Sequence, residues 1–462
     1  MIPLESIGGA TQDALFFYLA AMGLLLLFAT WLRAKIGFLK KYHIPASLLA
    51  GFIGLAMGPY FLKVIPQEMM STYSNLAGRL IVIVFAPMLM GIQLSNLKKL
   101  AKTAGATYVV NWFMQGMQFA IPMLLGYFVL SPMFGTHPLF STIVDAGWYG
   151  GHGTAGGLKV VYEELGWADG HALAVTSATI GLAFGIISGV TLINIAVRRG
   201  WTNYLHQAVS LEAAEEEFFT PEEAHEGTKT TVSSGVIDTL AFHASLIGVA
   251  AFIGWFITKA IKIYFNITIG WFVTAMIGGL IVQLTFGRTK YGKYMDKNTF
   301  GRLQGLALEF LVAGAVASLQ VPIVIEYWKP LLIQQGLMAI LMTWFVVWLS
   351  PRTIPEDWFE NCMVMFGTGT GVMATGLLLL KTADPETKSN ALTVTAARSA
   401  LGFGLGGGGG LLTGLVPNLV LTYGELKVGL AFVGLMVVMA VLIKVFGWWN
   451  PRPFAKYKGT NA

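Results

Sequence analysis

The stretch Asp145-Ala-Gly-Trp-Tyr-Gly-Gly-His-Gly-Thr-Ala-Gly-Gly157 lies between two long apolar runs and cannot be an ordinary membrane-spanning helix. Each glycine in a helix interior costs roughly 1 kcal/mol relative to alanine, and here glycines crowd the centre. The stretch is nevertheless too apolar for a solvated loop. Its backbone must break at membrane depth, where protein or a water-filled cavity can satisfy the freed N–H and C=O groups. The pattern returns at Asn361-Cys-Met-Val-Met-Phe-Gly-Thr-Gly-Thr-Gly371, where Gly367, Gly369 and Thr370 repeat Gly151, Gly153 and Thr154 at one constant offset that also sets Asn361 on Asp145. Two glycine-broken segments in corresponding places of two halves point to the centre of a secondary transporter.

With 55% hydrophobic and 12% charged residues, the chain falls far below the roughly 25% charged content of soluble domains. It reads as an all-α, polytopic membrane protein. The first apolar run, residues 14–32, is too long for a signal-peptide core and lacks a basic leader, so it reads as a retained helix. A single Cys362 excludes a disulfide framework and a thiolate metal cluster. The seven His show no metal-ligand spacing. The net charge of +6 comes from basic residues at helix ends, which carry topology rather than a nucleic-acid footprint. The expected partners are therefore the lipid bilayer and a small solute, with no nucleic acid.

Charge asymmetry orients the chain. Arg33, Lys35, Lys40 and Lys41 follow the first span directly, which puts the N-terminus outside. Further spans are expected near 44–62, 76–94, 106–130 and 172–197, with Lys98, Lys99 and Lys102 inside and 131–141 outside. Residues 1–199 thus form a first repeat of five helices with a re-entrant segment at about 142–158. The acidic stretch 200–235 around Pro221 is a cytoplasmic linker. Residues 236–416 form a second, inverted repeat with spans near 236–258, 270–287, 301–320, 331–349 and 390–416 and a re-entrant segment at about 361–381. Residues 417–462 add a helix at 428–445 and a basic cytoplasmic tail. This gives eleven spans, with the N-terminus outside and the C-terminus inside. Most of the 30 Lys and Arg fall on the cytoplasmic side, but Lys259 and Lys262 go against it. The glycine run 406–410 can kink the tenth span, admit a close neighbour, or divide the span in two.

Two passages carry a resemblance. Gly150-Gly-His-Gly-Thr154 and Phe38-Leu-Lys-Lys-Tyr-His-Ile-Pro45, in this order and in an inverted-repeat context, are similar to the bacterial sodium/glutamate symporters, and the resemblance extends over nearly the full length. It implies sodium-coupled uptake of an anionic amino acid, ten core helices with two re-entrant loops, and a homodimer whose transport domain slides against a scaffold. No cofactor is implied beyond sodium as the coupling ion. This chain departs from the family at Met373-Ala374, where a Thr-Pro step is usual, and it lacks the acidic residue expected near Gly402 to Gly407. Arg398 and Glu309 stand where small or apolar residues are expected.

The candidate residues follow from chemistry. Sodium needs several hard oxygen donors, which broken helices supply as free carbonyls and side chains complete. Asp145, Asn361, Ser177, Thr179, Thr393 and Thr395 are the candidate sodium ligands, the last four aligned on the helices after the breaks. An anionic substrate calls for N–H groups at half-helix N-termini and a cation. Gly151, His152, Gly153, Thr154, Gly367, Thr368, Gly369, Thr370 and Arg398 are its candidate contacts. Ser and Thr hydroxyls can instead bond back to their own helix, and Arg398 can be permanently paired with Glu309 or Asp145. Glu309 is also a candidate proton carrier, which defines the alternative of a proton-coupled carboxylate carrier. His152 can relay protons or simply brace the turn. A channel is a weaker alternative because two symmetrical breaks suit alternating access. A membrane-embedded enzyme lacks a catalytic constellation.

Overall fold

The computed structural model describes residues 9–41, 44–91, 97–205, 228–402 and 410–451, and among these every regular element is helical. The stretch around Pro221, residues 406–409 of the glycine run, the tail from Arg452 onward, and Tyr42 and His43 of the second motif lie outside the described residues. In chain order the main helices are α1 (Gly9–Lys35), α2 (Ala46–Met57), α3 (Gln67–Phe85), α4 (Leu97–Leu125), α5 (Gly151–Gly157), α6 (Lys159–Glu164), α7 (Asp169–Arg199) and α8 (Thr239–Phe265). There follow α9 (Trp271–Thr285), α10 (Lys297–Ala317), α11 (Trp328–Trp344), α12 (Trp358–Thr370), α13 (Met373–Ala383), α14 (Ala391–Gly402), α15 (Leu411–Tyr423) and α16 (Glu425–Val445).

Nine stretches among the described residues are long and apolar enough to cross a membrane, as a polytopic helical membrane protein requires. They account for all but two of the spans expected from the sequence. The second span appears only as the 12 residues of α2, which ends at Gly58. The tenth appears as α14 and α15 on either side of residues 403–409. The third begins at Gln67, earlier than its apolar run, because its first turns carry Glu68, Ser71, Ser74 and Asn75 on a helix that Pro66 opens.

The chain divides into two compact units that interleave along the sequence. The first comprises Met1–Gln93, His152–Val175 and Ala213–Pro322; the second comprises Leu94–Gly151, Thr176–Glu212 and Ile323–Ala462.

In the first unit, α10 lies along α2 and α3. Ala313 and Ala317 pack with Ala50, Met22 and Tyr73 into a core of small residues around one large ring, and the Tyr73 hydroxyl donates to the Tyr18 carbonyl at 3.0 Å. Side-chain caps fix where two helices begin. Asp238 accepts from the Leu240 and Ala241 amides at 2.8 and 3.2 Å at the start of α8. Asp296 accepts from the Thr299 amide at 2.8 Å at the start of α10. Such a cap contributes typically about 1 kcal/mol.

In the second unit, α4 is the central element, with α14, α16 and part of α12 against it. Phe119 of α4 stacks on Phe432 of α16 with ring centroids 4.5 Å apart. Trp148, Phe345, Phe359 and Phe366 fill the core beside it. The α12 and α13 helices meet at a break over Gly371 and Val372 and fold back on each other. The close approach needs glycine: a Cβ on Gly367 would stand 2.7 Å from the Gly376 Cα.

Candidate functional site

The first broken segment begins as one turn of π-helix, Asp145–Tyr149, which lies in the second unit. The break itself is at Gly151, whose φ of +67° is a left-handed conformation that glycine adopts without strain. A Cβ there would also come within 2.6 Å of Val372 Cγ1 and 3.1 Å of the Gly371 carbonyl oxygen, so the two breaks touch within this unit. Gly181 of α7 lies against the end of α12, where an added Cβ would stand 2.7 Å from the Thr370 carbonyl oxygen.

Asp145 is fully buried. One carboxylate oxygen accepts from Gln115 Nε2 at 3.3 Å and the other from the Thr413 hydroxyl. One helical turn away along both segments, Asn111 Nδ2 donates to the Tyr149 hydroxyl at 2.7 Å. The pairs Asn111–Tyr149 and Gln115–Asp145 are therefore two rungs between α4 and the π-turn. A third amide, Gln118, donates to the Gly369 carbonyl oxygen at 2.5 Å. Residues 111, 115 and 118 share one face of α4. The amide oxygens Asn111 Oδ1, Gln115 Oε1 and Gln118 Oε1 are buried and accept no hydrogen bond among the described residues. A buried acceptor left unpaired costs about 1–3 kcal/mol, so three on one stripe make this face of α4 a candidate site for a cation or a donor.

Arg398 of α14 is 7% exposed and has no hydrogen bond or ion pair among the described residues; it lies near Tyr149, which also neighbours Asp145. A buried carboxylate and a buried guanidinium thus share one neighbour without forming an ion pair with each other. A second polar chain runs alongside. Trp148 Nε1 and the Ser177 hydroxyl both donate to Gln335 Oε1, the latter at 3.2 Å, and Gln334 Nε2 donates to the Phe140 carbonyl at 3.1 Å.

Not every residue singled out in the sequence comes to this place. Asp145, Gly151, Ser177, Gly369 and Arg398 belong to it. Thr368 and Thr370 donate back to the carbonyls of Val364 and Phe366 at 2.7 and 2.8 Å, and Gly367 serves helix packing. Asn361 sits instead in a cluster at the start of α12, donating to Asn390 Oδ1 at 2.7 Å and to the Asp357 carbonyl at 3.1 Å. It shares no hydrogen-bond partner with Asp145, although the repeat offset pairs them. Thr179 is half-buried on α7; on α14, Thr393 is exposed and Thr395 buried. His152, Gly153 and Thr154 are buried in α5 and fall in the first unit, where Thr154 Oγ1 has no hydrogen-bond partner among the described residues. Glu309 is exposed on α10 of the first unit, with no hydrogen bond or ion pair among the described residues.

Sequence reasoning missed Asn111, Gln115, Gln118, Tyr149 and Thr413. The signal for the first three was present: amides four and three residues apart in an apolar helix lie on one face.

Broken helices, backbone carbonyls beside a break and buried, separately held charges of both signs define a membrane-embedded secondary transporter. The sodium/glutamate symporter profile matches residues 13–382, and the chain belongs to that family. No curated protein matches it. Among solved structures, the sodium proton antiporter MjNhaP1 from Methanocaldococcus jannaschii is similar at 16% identity and a TM-score of 0.39, covering 91% of this chain and 99% of that one.

Proposed function

We propose that this transporter couples the entry of sodium to the uptake of glutamate or a related small carboxylate, with Asp145 holding the cation and Arg398 the substrate carboxylate. The observation that carries this reading is the pair of buried opposite charges that neutralise neither each other nor any other described residue. A buried, unpaired charge carries a penalty of several kcal/mol. Ions taken from solution remove it, a cation at Asp145 and an anion at Arg398. Loading both leaves the site neutral, which favours their joint binding over either alone.

The sodium ligands in this reading are the Asp145 carboxylate, Gln115 Oε1 and Asn111 Oδ1, with backbone carbonyls at the breaks completing the set. The repeated glycine patterns support two inverted repeats with re-entrant segments. The same reading is of a carrier rather than an enzyme. The family resemblance and the charge pattern support a homodimer in a bacterial inner membrane, N-terminus periplasmic and C-terminus cytoplasmic. Proton coupling through Glu309 has less support, because that carboxylate is exposed and belongs to the first unit, whereas the charged pair belongs to the second.

The test compares Arg398→Ala and Arg398→Lys in uptake and in substrate-free sodium binding. A charge-assisted hydrogen bond contributes roughly 1.5–3 kcal/mol, so Arg398→Ala should weaken substrate binding about 10- to 100-fold. Arg398→Lys keeps the charge but loses the planar fork and should fall in between, with sodium affinity little changed in either. Near-native substrate affinity in Arg398→Ala would remove Arg398 from the site.

A further inference from the structure

A cavity of roughly 640 Å³ lies wholly within the first unit and shares no lining residue with the site of Asp145 and Arg398. Three cationic side chains line it: Arg79 of α3, and Lys259 and Lys262 of α8. Lys262 is matched by Glu164 Oε2 at 3.4 Å. The other two have no acidic partner among the described residues. The Lys259 ammonium lies over the Trp255 ring, 4.6 Å from its centroid, and Arg79 Nη1 donates only to the Asn75 carbonyl of its own helix at 2.9 Å. The cavity therefore presents a net positive lining, and Lys259 and Lys262 are among the basic residues that run against the charge asymmetry of the chain.

Apart from Thr258 and Thr268 the remaining wall is apolar and aromatic, including Phe252, Phe256 and Trp271. Phe252 and Phe256 lie one turn apart on α8 and are exposed, on the same face as the exposed Val249 and Ile263. Because α8 is a span, that face meets acyl chains. The cavity thus joins a hydrocarbon-facing aromatic surface to two unmatched cations, within the size range of small-molecule sites. We infer that it is a binding site for an anionic phospholipid, whose headgroup phosphate is held by Arg79 and Lys259 and whose acyl chain lies over Phe252, Phe256 and Trp271. A soluble anion would use the cations but leave the apolar wall unfilled; a zwitterionic lipid would do the reverse.

The test uses the full chain in phosphatidylcholine nanodiscs containing phosphatidylglycerol, with the retained lipid counted by native mass spectrometry. Wild type should keep phosphatidylglycerol in preference to phosphatidylcholine. Arg79→Gln with Lys259→Gln should weaken that retention about 30-fold, at the usual worth of each basic residue facing an anionic lipid. Arg79→Lys with Lys259→Arg, which keeps both charges, should preserve it. An undiminished preference in the neutral variant, or its loss in the charge-preserving one, would overturn the assignment. Displacement of phosphatidylglycerol from wild type by water-soluble glycerol phosphate, as readily as by added lipid, would instead make this a small-anion site.

Discussion

Asp145→Asn should sharply reduce sodium-driven uptake at sodium concentrations that saturate the wild type, while leaving a folded protein in the membrane. Asparagine has nearly the same shape and can still accept from the Thr413 hydroxyl through its Oδ1. What it removes is the carboxylate charge of the proposed cation site, whose amide oxygens on Gln115 and Asn111 are neutral. Neutral oxygens alone hold a cation weakly when it must be stripped of water. With a charge-assisted contact worth roughly 1.5–3 kcal/mol, sodium binding should weaken by about 10- to 100-fold, and by more if the carboxylate supplies two ligands. In the proposed function sodium and substrate neutralise opposite charges beside Tyr149, so the apparent substrate affinity should fall with it. Gln115→Leu should produce a smaller sodium defect at unchanged maximal rate. Wild-type sodium dependence in Asp145→Asn would exclude the carboxylate as a cation ligand.

The second large effect is expected at Gly151. Valine there meets two obstacles that do not relax together: a φ of +67°, which a β-branched residue adopts only under strain, and a Cβ position 2.6 Å from Val372 Cγ1 and 3.1 Å from the Gly371 carbonyl oxygen. Backbone strain and overpacking each cost about 1–3 kcal/mol. Their sum is a large share of the roughly 5–15 kcal/mol that holds a typical domain together. Gly151→Val should therefore lose uptake and melt earlier in detergent. Gly153→Ala is the contrast. Its new Cβ would meet the ends of two flexible side chains, Ile81 Cδ1 at 3.0 Å and Leu308 Cδ1 at 3.5 Å, with no left-handed φ to strain. Equal melting temperatures for Gly151→Val and wild type would show that the break does not depend on glycine.

That contrast shows how far the sequence could be read. The glycine pattern located both breaks, because glycines crowded into an apolar run are incompatible with an unbroken, stable span. It did not show which glycine carries the special backbone, since φ depends on how the two breaks meet. Asp145 and Arg398 were legible as charges inside apolar segments, where the membrane penalty makes any charge conspicuous. The offset between the halves was less informative. It pairs Ser177 with Thr393, yet Ser177 is buried on Gln335 and Thr393 is exposed. A repeat preserves backbone pattern more faithfully than it preserves the neighbours of each side chain. The amides of α4 were passed over because Asn and Gln carry no charge to mark them, and only packing revealed that Asn111 and Gln115 face Tyr149 and Asp145. The start of α3 was missed because its first turn carries the exposed polar residues Gln67 and Glu68, which give no apolar signal.

Whether sodium entry drives a small carboxylate inward is decided by uptake of labelled glutamate and related carboxylates into proteoliposomes with the membrane potential clamped. An inward sodium gradient without a pH gradient should drive accumulation of at least one of them above its external concentration, and collapsing that gradient should release it. Equal accumulation driven by a proton gradient in the complete absence of sodium would exclude sodium as the coupling ion.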